Sequence, residues 1–206
     1  MNGPPELPVE VPPAIPTRPK LRWWVPITIV GVLLLAITVW LVASGTPIYF
    51  KAFSAAKREA AIVFALQIEQ SVNSYYTDNA VLPHPPRTGP TIGDTLFITD
   101  TPAGLAPINA LAGHHSIISP RGVRYLNPKE ARGKRDGATY DPSHSWITGL
   151  HDPWGNPYQV VLDTDHDGII VVPLKTPVLL KGRRAAVYSA GPDGILETND
   201  DIKSWR

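Results

Sequence analysis

WWVPITIVGVLLLAITVWLVASGTPIYFKAFSAAKREAAIVFALQIEQSVNSYYTDN, residues 23–79, is the stretch whose reading decides the fold. Its first half, Ile27 to Ala43, is apolar throughout, relieved only by Thr28, Thr38 and Gly31. A helix of that length just crosses a hydrocarbon layer of ~30 Å, and Trp23, Trp24 and Trp40 stand near its ends, where interfacial aromatics belong. The pattern predicts a transmembrane helix over 23–44. Ser44-Gly45-Thr46-Pro47 then interrupts the helical signal, with Thr46 suited to an N-cap and Pro47 to a first turn. From Ile48 the pattern becomes amphipathic. Phe53, Ala56, Ala60, Val63, Phe64, Ile68, Val72, Tyr75 and Tyr76 recur at three- and four-residue steps, with charged residues between them. Asn79 suits a left-handed stop, and Pro83 lies just beyond.

Residues 1–22 form a Pro-rich tail with no face to bury, read as an extended linker rather than as a PxxP docking ligand. Arg18, Lys20 and Arg22 stand directly before the apolar run, so the positive-inside rule places the tail in the cytoplasm and residues 45–206 across the membrane. A cleaved secretory signal fits less well, since the segment before the apolar run is long and proline-rich.

Residues 45–206 read as one folded domain: a long helix (45–83), a connecting insert (84–150) and a β-rich end (151–206). Pro83 to Gly93 is a proline-rich loop, and Thr101 to Gly113 a short helix opened by Pro102 with Pro107 inside it. A short strand is expected around Val123-Arg124-Tyr125, and a solvated charge run over Lys129 to Asp136. Tyr158 to Leu162, Ile169 to Val172 and Ala185 to Ala190 are β-rich segments divided by turn chemistry, with Asp167-Gly168 as a hairpin signal. They predict a small antiparallel sheet packed on the amphipathic helix. The fold class is therefore α+β.

Apolar residues make up 43% of the 206, an ordinary globular share, while 23 prolines and 16 glycines imply many turns around a modest core. The net charge of +1 and the absence of a basic stripe exclude a nucleic-acid binder. With no cysteines, disulfides, thiolate metal sites and cysteine nucleophiles are excluded too. Ser54-Ala55-Ala56-Lys57 matches SxxK without its partner motifs, and His114, His115, His144 and His151 lack metal-site spacing. No enzyme and no small-molecule substrate are indicated. Trp154 reads as a packing anchor and Trp205 as a lid tying the chain end to the domain.

Asp193, Glu197, Thr198, Asn199, Asp200 and Asp201 crowd the C-terminus and offer hard oxygens of the kind Ca²⁺ takes, with Gly191 and Gly194 allowing a tight loop. An acidic surface loop would carry the same residues. Asp163-Thr164-Asp165-His166-Asp167-Gly168 has the D-x-D-x-D-G opening of an EF-hand loop, but position twelve is Leu174 instead of Glu. It reads as an Asp-rich turn ahead of a second, weaker calcium site.

Three stretches resemble the major pseudopilins of bacterial type II secretion, the general-secretion-pathway G-type subunits. They are Pro47 to Pro83; Asp152-Pro153-Trp154-Gly155-Asn156-Pro157-Tyr158; and Val187-Tyr188-Ser189-Ala190-Gly191-Pro192-Asp193-Gly194 with Asp200-Asp201-Ile202-Lys203-Ser204-Trp205. The resemblance implies a pilin-like fold with a calcium-binding C-terminal loop. It implies side-chain ligands at Asp193, Thr198 and Asp201, with Asp200 able to replace Asp201, and carbonyl ligands at Ala190 and Ile195. It also implies a single-pass inner-membrane protein with a periplasmic domain, a structural subunit or accessory of a pseudopilus, whose partners are other pseudopilins, secretion subunits or copies of itself. The chain departs from the family where the leader glycine (near Val25-Pro26) and the glutamate (near Val30) are expected, so the tail is expected to stay attached. Those departures leave a second reading, a membrane-tethered periplasmic interaction module that joins no filament.

Overall fold

A computed structural model describes residues 24–85 and 93–205, with side chains given for all of these except 24–27 and 42–50. The tail 1–22 and the greater part of the 83–93 loop lie outside the described residues. The chain divides into two compact units, Met1–Phe50 and Lys51–Arg206.

Helix α1 is a single element, Trp24–Asn79. Its backbone stays helical through Ser44-Gly45-Thr46-Pro47, which corrects the expected interruption. An interior proline removes one backbone hydrogen bond and bends a helix without having to end it. In the first unit, Ile29, Val30, Val32, Leu33, Leu34, Leu35, Ile37, Val39, Trp40 and Leu41 are all between 51% and 67% exposed. Among the described residues no helix is long and apolar enough to cross a membrane. The expected span over 23–44 runs at both ends into residues whose side chains are not described.

In the second unit the buried face of α1 is Ala61, Ala65, Ile68, Val72 and Tyr75, a four-three-four-three spacing that keeps one stripe inward. Phe53, Ala56, Ala60 and Val63, expected on that stripe, are exposed. Periodicity alone does not separate two adjacent stripes, and here Ala61 and Ala65 enter the core cluster that also holds Tyr158. The helix stops at Ala80, which takes the left-handed conformation (φ 55°) expected of Asn79. Asn79 instead donates its side-chain amide to the Tyr75 carbonyl at 2.8 Å.

Strand β1 (Thr95–Ile98) leads into α2 (Pro102–Leu111), the short helix expected from its caps. Thr101 accepts from the Gly104 amide at 3.2 Å, and Pro102 occupies the first turn. A Cβ on Gly104 would lie 1.9 Å from the Ile98 carbonyl oxygen, so α2 sits directly on β1. The strand expected at 123–125 does not form. Tyr125 and Leu126 spend their amides on the Leu111 carbonyl (2.8 and 3.0 Å), turning across the end of α2. β2 (Gly137–Tyr140) and β3 (Ile147–His151) then make an unexpected hairpin just after the charge run.

The three β-rich segments exist, but not as one sheet. β4 (Gln159–Leu162) pairs directly with β7 (Ala185–Ser189), and the sheet order is β1-β4-β7-β8, with β8 at Ile202–Lys203. β5 (Ile169–Val172) pairs instead with β6 (Val178–Lys181) as a separate hairpin. The reason lies in alternation along the central strands. Val160, Leu162, Ala185 and Val187 face the cluster holding α1 and α2, while Val161, Ala186 and Tyr188 face a second cluster with Ile170 and Val172. Both faces of the sheet are apolar, so the hairpin folds over the outer one.

Candidate metal centre

β7 ends at Ser189, and the chain returns as β8 with Ser189 opposite Ile202 and Tyr188 opposite Lys203. Residues 190–201 are thus a loop whose two ends are held by sheet pairing. It tightens at once, with a single 3-10 turn over Gly191–Asp193. Gly191 has φ 65°, and a Cβ there would lie 2.3 Å from the Asp200 carbonyl oxygen, so only glycine lets the two limbs of the loop approach.

Inside the loop, Asp193, Ile195, Thr198 and Asp200 share one network. The Asp193 amide donates to Asp200 Oδ2 at 3.1 Å, and Asp193 Oδ1 accepts from the Ile195 amide at 2.8 Å. The Thr198 hydroxyl reaches the Ile195 carbonyl at 3.3 Å and also contacts Asp200 Oδ1. That hydroxyl, opposed only in part by burial, holds the Asp200 carboxyl below the usual carboxylate range. Asp201 belongs to a different set. Its carboxylate accepts from the amides of Glu197 (3.0 Å) and Thr198 (3.4 Å) and pairs with Lys203 at 3.4 Å. Ala190 lies buried where the loop leaves β7. The donors brought together, two carboxylates, a hydroxyl and a carbonyl, are all hard oxygens and fit calcium chemistry. Asp200, not Asp201, meets the Thr198 hydroxyl, while Asp201 meets its amide.

The loop is anchored by residues whose role did not emerge from the sequence. Asp152 is wholly buried, and its Oδ1 accepts from the amides of Trp154 (2.9 Å), Gly155 (2.8 Å) and Asn156 (2.9 Å). Its Oδ2 accepts from the Ser189 hydroxyl at 2.5 Å and from the Asn156 side chain at 3.3 Å. Asn156 also donates to the Gly191 carbonyl at 2.6 Å, which ties this turn to the calcium-type loop. From α1, Arg58 donates to the carbonyls of Asn199 (3.4 Å) and Asp201 (3.5 Å). An Asp followed by Pro and Gly is a turn signature, the one sequence signal that could have marked this hub. Trp205 packs edge-on against Tyr188 with ring centres 5.8 Å apart, and Trp154 lies half-buried against the main core.

The other candidate groups stay apart. Ser54 donates to the Lys51 carbonyl at 2.9 Å, and Lys57 lies over the Phe53 ring at 4.8 Å, so each SxxK residue has its own partner. His144 stacks on Tyr140, and His115 leans on Trp146. Burial pushes the His114 and His151 imidazoles below their usual range.

No family model matches the chain, and no solved structure matches it. A curated relative, the type II secretion system core protein G of Klebsiella pneumoniae, is 32% identical over 65 residues, 31% of this chain and 35% of that protein. The chain thus spans about a third of the length of the relative it matches. Over that stretch it is related to a pseudopilin-type protein.

Proposed function

We propose that the chain is a structural component, subunit or accessory, of a type II secretion-like pseudopilus. Residues 23–44 anchor it in the bacterial inner membrane, and 45–206 form the periplasmic domain. The observation that carries this reading is the helix stripe Ala61 to Tyr75 seated on a sheet whose last connection is an oxygen-rich closed loop, in a chain related over a third of its length to a secretion-system core protein. The exposed apolar side chains from Ile29 to Leu41, which water solvates poorly on every side of a helix, support the anchor. The loop donors Asp193, Thr198, Asp200 and the Ile195 carbonyl support calcium as the ion that closes the fold. The role is one of assembly and not of catalysis.

The absence of glutamate near Val30 favours the second reading, a tethered periplasmic module that joins no filament. Because the chain has no cysteine, single cysteines report contacts cleanly. Phe53→Cys and Val63→Cys, both on the exposed side of α1, are oxidised in intact membranes and separated without reductant. Disulfide-linked dimers, or adducts to other secretion subunits, are the expected result. Monomers alone from both variants would reject the pseudopilus role and leave the tethered module.

A further inference from the structure

We infer that the chain carries a calcium site separate from the C-terminal loop, built by Asp94, Asp163 and Asp165. Carboxylate oxygens of these three residues lie within 4.8 Å of one another. Asp94 precedes β1, while Asp163 and Asp165 open the loop from β4 to β5, so the group joins segments distant in sequence. Acidic clusters are common, but the hydrogen bonding here leaves a specific gap. Asp94 Oδ2 accepts from the Val171 amide at 2.5 Å, and Asp163 Oδ2 accepts from the Gly168 amide at 3.2 Å. The other oxygen of each, Oδ1, is shut off from solvent with no hydrogen-bond partner among the described residues. Asp163 as a whole is only 4% exposed. A buried carboxylate oxygen without a donor is unfavourable unless a cation or a proton faces it.

Among the described residues, protein cations do not fill that role. Among the described residues no ion pair reaches any of the three carboxylates. The nearby basic side chains are engaged elsewhere: Arg183 pairs with Glu69 at 2.5 Å, and the Arg184 guanidinium lies 4.3 Å over the Tyr76 ring.

The geometry also removes the objection the sequence raised. In an EF-hand loop the twelfth residue supplies the closing carboxylate, and here Leu174 stands there, packed against the second hydrophobic cluster. Asp94 supplies a third carboxylate from a segment distant in sequence instead. Asp167, third in the D-x-D-x-D-G run, turns away to accept from the Ile169 amide at 2.7 Å. Carboxylates with free oxygens on a turn of irregular geometry suit calcium, which accepts six to eight oxygens without a fixed polyhedron; magnesium demands an octahedron and keeps its waters.

The test is calorimetric titration of CaCl₂ into the full-length protein in detergent, after chelator treatment, for the wild type, Asp94→Asn, Asp165→Asn and Asp200→Asn. Asp94→Asn and Asp165→Asn should each weaken one binding event by about tenfold or more, while Asp200→Asn leaves that event in place. Asp165 is exposed, so Asp165→Asn decides the matter if Asp94→Asn fails to fold. Calcium binding unchanged in both Asp94→Asn and Asp165→Asn, or absent from the wild type, overturns the inference. A single event lost only in Asp200→Asn overturns it while sparing the C-terminal loop. A single event lost in Asp94→Asn and Asp165→Asn but kept in Asp200→Asn supports it and removes calcium from that loop.

Discussion

The hydroxyl of Ser189 donates to Asp152 Oδ2 at 2.5 Å, with both residues at 0% exposure. The contact joins the turn before β4 to the last residue of β7, immediately upstream of the acidic loop. A carboxylate survives at such depth only because both its oxygens are saturated with donors.

Removing it strands those donors in the interior. Asp152→Ala should destabilise the fold by about 3 kcal/mol or more, because three half-buried amides and the buried Ser189 hydroxyl lose their acceptor together. Urea unfolding followed by circular dichroism measures this. A loss below about 1 kcal/mol would mean that water or a shifted backbone replaces the carboxylate.

The two neighbouring aspartates of the acidic loop should fail differently. Calcium that binds only the folded chain stabilises by mass action, about 2.7 kcal/mol at a hundredfold excess over Kd. Asp200→Asn should shrink the rise in melting temperature produced by calcium, with little change in chelator. Asp201→Asn should lower the melting temperature in chelator as well, because its carboxylate is buried, pairs with Lys203 and serves the Glu197 and Thr198 amides, whereas Asp200 is only half-buried. Thermal melts in calcium and in EDTA separate the two effects, and identical behaviour of both variants would contradict the split network.

Gly104→Ala tests the seat of α2 on β1. The new methyl would meet the Ile98 backbone 1.9 Å away, and backbone cannot swing aside as a side chain can. The expected cost is about 2–3 kcal/mol, despite alanine's better helix propensity. A neutral or stabilised variant in chemical unfolding would show that α2 can lift off the strand.

The turn between β2 and β3 has a pH signature. Asp141 Oδ1 accepts from the amides of Ser145 and Trp146, both at 2.8 Å, and its other oxygen is held by the Ser143 hydroxyl. The Ser143 contact first, and the backbone donors after it, lower the carboxyl to about 2. A carboxyl held lower in the folded than in the unfolded chain stabilises the fold above the ordinary aspartate range, and that stabilisation is lost as pH falls toward about 2. Carbon-detected NMR titration should place the Asp141 midpoint near 2, and a midpoint near 4 would mean the turn is open in solution.

What could be read from the sequence follows what is local. The apolar spacing of α1 and the Thr101-Pro102 start of α2 are encoded within a few turns of helix, and both helices form. The residues of β4, β5 and β7 were visible as β-rich segments. Their pairing was not, because the chain after Leu162 leaves the sheet plane, and because Ala185 to Ser189 is buried on both faces and shows no alternation. β2 was hidden behind the charge run that precedes it. At the acidic loop the donors are neighbours in sequence and could be named; which aspartate turns inward depends on backbone amides that sequence does not place. Asp94 could not be linked to Asp163 at all, since only the β1–β4 pairing, Thr95 opposite Leu162, brings them together.

The borders of the sheet bear on how these chains tolerate crowding. One border strand, β8, is two residues long, and at the other α2 sits on β1. Neither offers the long, flat row of unpaired amides and carbonyls that recruits a foreign strand. The four-stranded sheet therefore leaves little for a neighbouring chain to add to, and a Pro or Lys inserted at either border should add little further protection.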